Sequence, residues 1–258
     1  MNISFTRERY TPEDFESKDH MSQMHWSRYK FTIPFVNEKK VMDIACGEGY
    51  GSNMLSKNSS EVVGIDIDSK SIEHAKNKYK KNNLNFYVGS VERIENQNEL
   101  FDVVVSFETI EHVKLSLQKK FLSEVARILK PSGIFIVSTP DKDVGGEGHN
   151  EFHVHELNKP EFFKMLNEHF KEVEFYGQDI KPYGNKLSLF IARILHKLVK
   201  LDKLKIRHKL FPKKFRFALD TNVSNSAVNK NLVQNDIFTP KKIQQKETAA
   251  FLIAVCKK

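Results

Sequence analysis

Val41-Met42-Asp43-Ile44-Ala45-Cys46-Gly47-Glu48-Gly49-Tyr50-Gly51-Ser52 is a short apolar run that stops in three closely spaced glycines and then restarts in helix-compatible residues. Glycines at the end of a buried strand remove the Cβ atoms that would hold a ligand off the backbone, and the helix that follows offers unpaired N–H groups. The stretch therefore predicts a ligand-binding turn that receives an anionic group. A dinucleotide pyrophosphate is the first candidate, but the third position of G-x-G-x-x-G is Ser52, and Gly51 lies one residue early. G-x-G by itself leaves a tight structural turn and a cofactor loop equally open.

Working outward, Val62-Val63-Gly64-Ile65-Asp66-Ile67-Asp68 forms a second apolar strand ending in a carboxylate, where a ribose diol needs acceptors. From residue 40 onward, strand-like and helix-like segments alternate, which argues for a parallel sheet with helices on both faces. Strands are expected at 41–45, 62–65, 85–88, 101–107, 134–138, 173–176 and 249–255. Helices are expected from about Tyr50, from a cap at Asp68 or Ser69, over 115–129 and over 160–170, with Pro131-Ser132-Gly133 stopping the third of these. Upstream, residues 20–35 read as a helix rich in aromatics that ends near Pro34.

As a set, D-I-A-C-G-E-G-Y-G-S and V-V-G-I-D-I-D closely resemble the class I S-adenosylmethionine (SAM)-dependent methyltransferases. The likeness continues through Arg7-Glu8-Arg9-Tyr10, Arg28-Tyr29 and Phe152-His153-Val154-His155-Glu156-Leu157, and it resembles the subgroup associated with bacterial sugar and surface-glycan modification. It covers residues up to about 180 and the last strand. The fold it implies is an α/β, Rossmann-like, seven-stranded and mostly parallel sheet of order 3-2-1-4-5-7-6, the last strand antiparallel. Residues 1–39 become a helical lid segment, 40–180 plus 248–258 the SAM-binding domain, and 181–247 an insertion between the last two strands.

The resemblance also assigns the site. Ala45, Gly47 and Gly49 bring the backbone to the amino-acid end of SAM, Asp43 organises the loop and the cofactor's ammonium, and Asp66 accepts the ribose hydroxyls with Ile67 against the adenine. Ser90 and Val91 follow Gly89 where many relatives carry Asp, so a hydroxyl or backbone N–H takes that contact. Phe107 and Glu108, at the end of the fourth strand, border the methionine portion and the reacting methyl. On the acceptor side stand Glu111, His112, His149, His153 and His155, and histidine is the side chain best matched to taking a hydroxyl proton near neutral pH. His153 is the preferred base, with His112 and Glu111 beside it. His149, His153 and His155 with Asp141, Asp143, Glu147 and Glu151 raise a metal site, but His-x₃-His-x-His is no standard zinc spacing. The loop is read as solvated, and no metal is assigned.

Bulk properties bound the rest. At 258 residues the chain fits one sizeable domain with an insertion. The first twenty residues carry charges with no apolar run, and the longest apolar runs are far below the roughly 18 residues of a membrane span. Two cysteines, Cys46 and Cys256, make no disulfide framework, so a cytoplasmic location is expected. The formal +8 is uneven: residues 181–216 hold twelve Lys/Arg against the single acid Asp202, which leaves the remainder acidic. An apolar stripe through Leu187, Ile191, Ile194, Leu198 and Leu201 opposes Arg193, Lys197 and Lys200, so this segment reads as a packed helix or a peripheral membrane contact. Nucleic acid is disfavoured, because no recognisable RNA-binding module accompanies the charge.

Four functions compete at this level. The first is O-methylation of a sugar or surface-glycan precursor. The second is methylation of a quinone-like lipid ring, the third a catalytically silent SAM-binding module that docks a partner or RNA, and the fourth an NAD-dependent dehydrogenase. Acceptor, oligomeric state and methylated atom stay open.

Overall fold

The computed structural model describes residues 20–95, 98–144, 152–182, 238–244 and 247–258. The expectations for residues 1–19, His149, Glu147, Glu151 and the amphipathic and polar stretches within 183–237 lie outside them.

In chain order the elements are α1 (His20–Val36), β1 (Lys40–Ile44), α2 (Tyr50–Leu55), β2 (Glu61–Asp66), α3 (Ser69–Lys78), β3 (Leu84–Val88) and β4 (Phe101–Phe107). A 3-10 turn (Ile110–His112) follows, then α4 (Leu115–Ile128), β5 (Leu129–Pro140), α5 (Lys159–Asn167), β6 (Glu172–Pro182), β7 (Lys241–Lys242) and β8 (Glu247–Lys257). They build one sheet of order β3-β2-β1-β4-β5-β8-β6-β7. Strands β1 to β5 pair in parallel, and β8 returns antiparallel against β5. The Rossmann-like α/β expectation holds, with one two-residue edge strand more than the seven expected. That addition, β7, pairs only with Tyr176 and Gly177.

Alternation along the strands decides what each face buries. Val41, Val62, Val103 and Val105 join α1, α2 and α3 residues in one core, while Met42, Ile44, Val63 and Val104 join α4 and α5 residues in the other. Successive side chains of a strand point to opposite faces, so runs buried on both sides read as continuous apolar sequence. Phe101, Phe121, Phe135 and Phe162 are fully buried, each contributing on the order of 1.5–3 kcal/mol.

Several boundaries differ from the sequence reading for local reasons. β5 begins at Leu129 and not at Ile134, and a register shift between Phe101 and Val103 absorbs the helix-stopping Pro131-Ser132-Gly133 segment into the strand. Asp68 does cap α3, accepting from the Lys70 N–H. α5 starts one residue early, at Lys159, because Asn158 and Glu161 form a reciprocal capping box.

Candidate active site

The turn after β1 is built by backbone conformations that most residues avoid. Ala45, Gly47 and Gly49 have φ of 59°, 54° and 80°. The Cys46 N–H donates to Ile65 O at 3.0 Å, tying the turn to β2. Three glycines here do three different things. A Cβ on Gly47 would meet nothing within 4 Å, one on Gly49 would lie 2.6 Å from the Phe86 ring, and one on Gly51 would lie 2.0 Å from the Tyr29 ring. Gly47 therefore leaves room for a ligand, whereas Gly49 and Gly51 let α2 close on β3 and α1.

Asp66 and the turn are one unit. The Asp66 carboxylate accepts the Gly47 N–H and the Asp68 N–H, both at 2.9 Å. Behind them the fully buried Asp43 accepts from Ser52 Oγ at 2.6 Å and from Tyr29 Oη at 3.3 Å. Burial pushes the Asp43 carboxyl up to about 7, against the lowering effect of its Ser52 and Tyr29 hydrogen bonds. The expected anion at this turn is thus the protein's own. A pyrophosphate would meet Asp66 and the buried Glu48, while the α2 helix that follows has only six residues.

A cleft of about 390 Å³ opens at this end of the sheet, lined among others by Ala45, Gly47, Asp66, Ile67, Ser90, Val91, Phe107, Glu108 and His112. Nine of the sequence-selected positions meet there. Asp43, Gly49, Glu111 and His153 do not line it: Asp43 is held behind the wall by Ser52 and Tyr29, Gly49 is turned toward Phe86, and Glu111 and His153 stand behind His112, which does. A wider surface hollow of about 1040 Å³, lined by Glu92, Arg93, Glu124 and Arg127, contains none of the selected residues. Ile67 is 74% exposed, an apolar surface held open beside Asp66.

Tyr50 and Thr109 were not selected, and His25 and Tyr29 only as part of the helical lid segment, yet all four line the cleft. Tyr29 packs edge-on against Phe107 at 5.0 Å and against Tyr50 at 5.4 Å. His25 Nδ1 lies 3.3 Å from Tyr50 Oη, and burial together with the nearby Arg28 charge holds its imidazole well below the usual range. The Arg28-Tyr29 pair was the available signal, because an arginine and a tyrosine on the buried side of a helix require partners. Arg28 is fully buried, donates to Gln178 Oε1 at 2.7 Å and lies 3.2 Å from Glu108 Oε1.

Around Glu108 and His112, which line the cleft, the fold gathers the acceptor-side candidates. Glu108, with φ of 49°, turns its carboxylate to accept from Ser138 Oγ at 2.7 Å. Glu111 accepts from Thr139 Oγ1 at 3.0 Å, and burial, then the Glu108 charge, hold its carboxyl well above the usual range. His112 Nδ1 lies 3.1 Å from Phe152 O, and His153 Nδ1 lies 2.5 Å from Glu156 Oε1. The two imidazoles meet edge-on at 5.0 Å. Glu111, His112 and His153 can each offer a ligand atom within 4.8 Å of the others. The loop is fastened in place by Gln118, whose amide donates to Ile110 O at 2.8 Å and His155 O at 2.7 Å, and by the His155 N–H on Glu111 O at 3.0 Å. Asp141 stands apart, clamped by Thr248 and the Asp143 N–H.

The residues present suit a cofactor that carries a sulfonium and an ammonium rather than phosphates. The wall has acids at Glu48, Asp66 and Glu108, aromatic faces at Tyr29, Tyr50 and Phe107, and open space over Gly47.

A family described as a methyltransferase domain matches residues 36–246. The chain is 34% identical over 140 residues to a probable SAM-dependent methyltransferase of Mycolicibacterium smegmatis, covering 53% of each. It is 37% identical over 105 residues to a ubiquinone biosynthesis O-methyltransferase of Pelagibacter ubique, covering 40% of this chain and 42% of that one. The matched stretch therefore spans about half of each relative or less. In fold, it superposes on a SAM-dependent methyltransferase of Thermotoga maritima with a TM-score of 0.57 at 14% identity, covering 95% and 96% of the two chains.

Proposed function

The chain belongs to the class I SAM-dependent methyltransferases, and from that premise we propose that it transfers a methyl group to a hydroxyl oxygen of a sugar or surface-glycan precursor. The observation that carries the choice of oxygen is the Glu111–His112–His153 cluster, which reaches the cofactor cleft through His112. A hydroxyl is a poor nucleophile until its proton has somewhere to go, whereas an amine needs less help.

When bound, SAM supplies an electrophilic methyl on a positively charged sulfur. The chain's own residues do the rest. Asp66 is held by the Gly47 and Asp68 N–H groups, one on each oxygen, and would present its carboxylate to the two ribose hydroxyls. Gly47 leaves space for the amino-acid portion, and Ile67 offers an apolar face to the base. Tyr29 and Phe107 keep water from the cationic centre, and the fixed position of Glu108 borders it. His153, with His112 beside it, would take the proton of the acceptor hydroxyl on its ring nitrogen, leaving the oxygen able to accept the methyl that SAM supplies. Alignment of these partners supplies much of the acceleration.

A second reading, methylation of a ring hydroxyl on a quinone-like lipid, is favoured by the similarity to a ubiquinone biosynthesis O-methyltransferase. Incubation with isotopically labelled SAM and separate pools of polysaccharide precursors and quinone precursors distinguishes them. Label in an alkali-stable methyl ether of the glycan pool is expected. Label confined to the quinone pool selects the second reading, and label on nitrogen in any pool overturns both.

A further inference from the structure

We propose that Glu111, His112 and His153 form a binding site for a divalent cation of the Zn²⁺ or Mn²⁺ type, placed to draw the proton from the acceptor hydroxyl. The inference rests on the methyl-transfer reading for its purpose, but the site itself stands on geometry.

Two imidazoles and one carboxylate are the donor set of catalytic metal sites that keep coordination positions open for water or substrate. Here all three can place a ligand atom within 4.8 Å of the others. Donors around an ion at about 2.1 Å stand roughly 3 to 4 Å apart, so small side-chain adjustments complete the set. His112 also lines the cofactor cleft, which puts the cluster next to the reacting centre.

The surroundings of the three residues point the same way. Glu111 is 1% exposed, and its Oε1 has no hydrogen-bond partner although Oε2 accepts from Thr139. A buried carboxylate oxygen left without a donor is costly, and a cation removes that cost. The neighbouring Arg28 guanidinium forms its ion pair with Glu108 and makes no hydrogen bond to Glu111, on which its charge acts only as a weaker opposing influence. Both histidines have Nδ1 set against an oxygen that can only accept from it: the carbonyl of Phe152 for His112 and the carboxylate of Glu156 for His153. That arrangement places the ring proton on Nδ1 and the lone pair on Nε2, the tautomer that a metal-binding imidazole adopts when a carboxylate or carbonyl orients it. A histidine whose only task was packing would not need this on both rings.

The spacing of His149, His153 and His155 had argued against a metal. The ligands the fold assembles are different ones: His112 arrives from the turn after β4, and His153 from the loop after β5. A cation there holds an acceptor hydroxyl by its oxygen and lowers the pH at which the proton leaves to solvent.

The test uses the full chain, stripped with a chelator and dialysed, then titrated with MnCl₂ and separately with ZnCl₂ by calorimetry. S-adenosylhomocysteine (SAH) affinity is measured on the same samples. One equivalent of bound cation is expected for the native chain. His153→Ala should abolish that binding, and Glu156→Gln, which only orients His153, should weaken it 10–100-fold. Both variants should keep SAH affinity within twofold, which shows that they fold. Absence of stoichiometric binding of either ion to a chain that binds SAH overturns the proposal, as does equal binding by both variants. Cation binding without SAH binding would instead sustain the site and sink the methyl-transfer reading.

Discussion

Gly47, Gly49 and Gly51 look alike in the sequence, yet each answers to a different neighbour. What fills the space of a missing Cβ depends on Phe86 and Tyr29, far away in the chain, so only the presence of the turn was legible and not the division of labour within it. Gly51→Ala drives a methyl into the Tyr29 ring and should cost about 1–3 kcal/mol, lowering the melting temperature by roughly 3–10 °C. Gly47→Ala meets no atom but sits at φ 54°, so it costs about 1–2 kcal/mol of strain and adds a methyl to the cleft. SAH affinity should fall about tenfold in this variant, as measured by calorimetry; unchanged affinity would remove Gly47 from the site. Asp43 was legible as a loop organiser but its elevated carboxyl was not, because burial is a tertiary property. The folded carboxyl titrates near 7 and the ordinary value is 3.8. The unfolded chain therefore releases this proton first, and rising pH favours unfolding between the two values. The stability involved is present in full below about pH 4 and lost above about pH 7, on the order of a few kcal/mol. Asp43→Asn should flatten the fall in melting temperature over that window, and a slope equal to the native chain's would contradict the assignment.

Strands and helices were legible because their periodicity is local. β4 reads as apolar apart from Asp102 and Ser106 and is buried on both faces, and the Asp68 cap announces α3. Edges were less so. β6 and β8 run past their expected ends because ladder partners extend them, and β7 is two lysines that carry no strand signal. The 3-10 turn and the loop carrying His153 could be nominated from chemistry, but their meeting depends on Gln118. That residue sits in the first turn of α4 and reaches the carbonyls of Ile110, Val113 and His155 from one amide. A lone glutamine in an amphipathic helix gives no hint of this. Gln118→Leu should leave those carbonyls unsatisfied and cost about 1–3 kcal/mol. Turnover should drop at least tenfold while SAH affinity stays near native, because the acceptor end loosens and the Gly47–Asp66 end does not. Equal loss of both would show that α4 supports the whole cleft.

At the scale of the molecule, the distribution of charge separates the catalytic fold from the basic stretch at 181–216. Among the described residues no helix is long and apolar enough to cross a membrane. The acidic wall of the cleft is what turns a glycine-rich loop away from dinucleotide phosphates and toward a cationic cofactor, since Asp66 already accepts the Gly47 N–H that a phosphate would use. The family was legible from two motifs in sequence. The acceptor was not, because the groups of its proposed site, Glu111, His112 and His153, converge from separate elements. The most direct test of the account is calorimetric titration of SAH into the native chain and into Asp66→Ala, with NAD as the competing ligand. SAH should bind the native chain, lose at least tenfold in affinity in the variant, and leave NAD without measurable heat. Undiminished SAH affinity in Asp66→Ala, or binding of NAD alone, would contradict it.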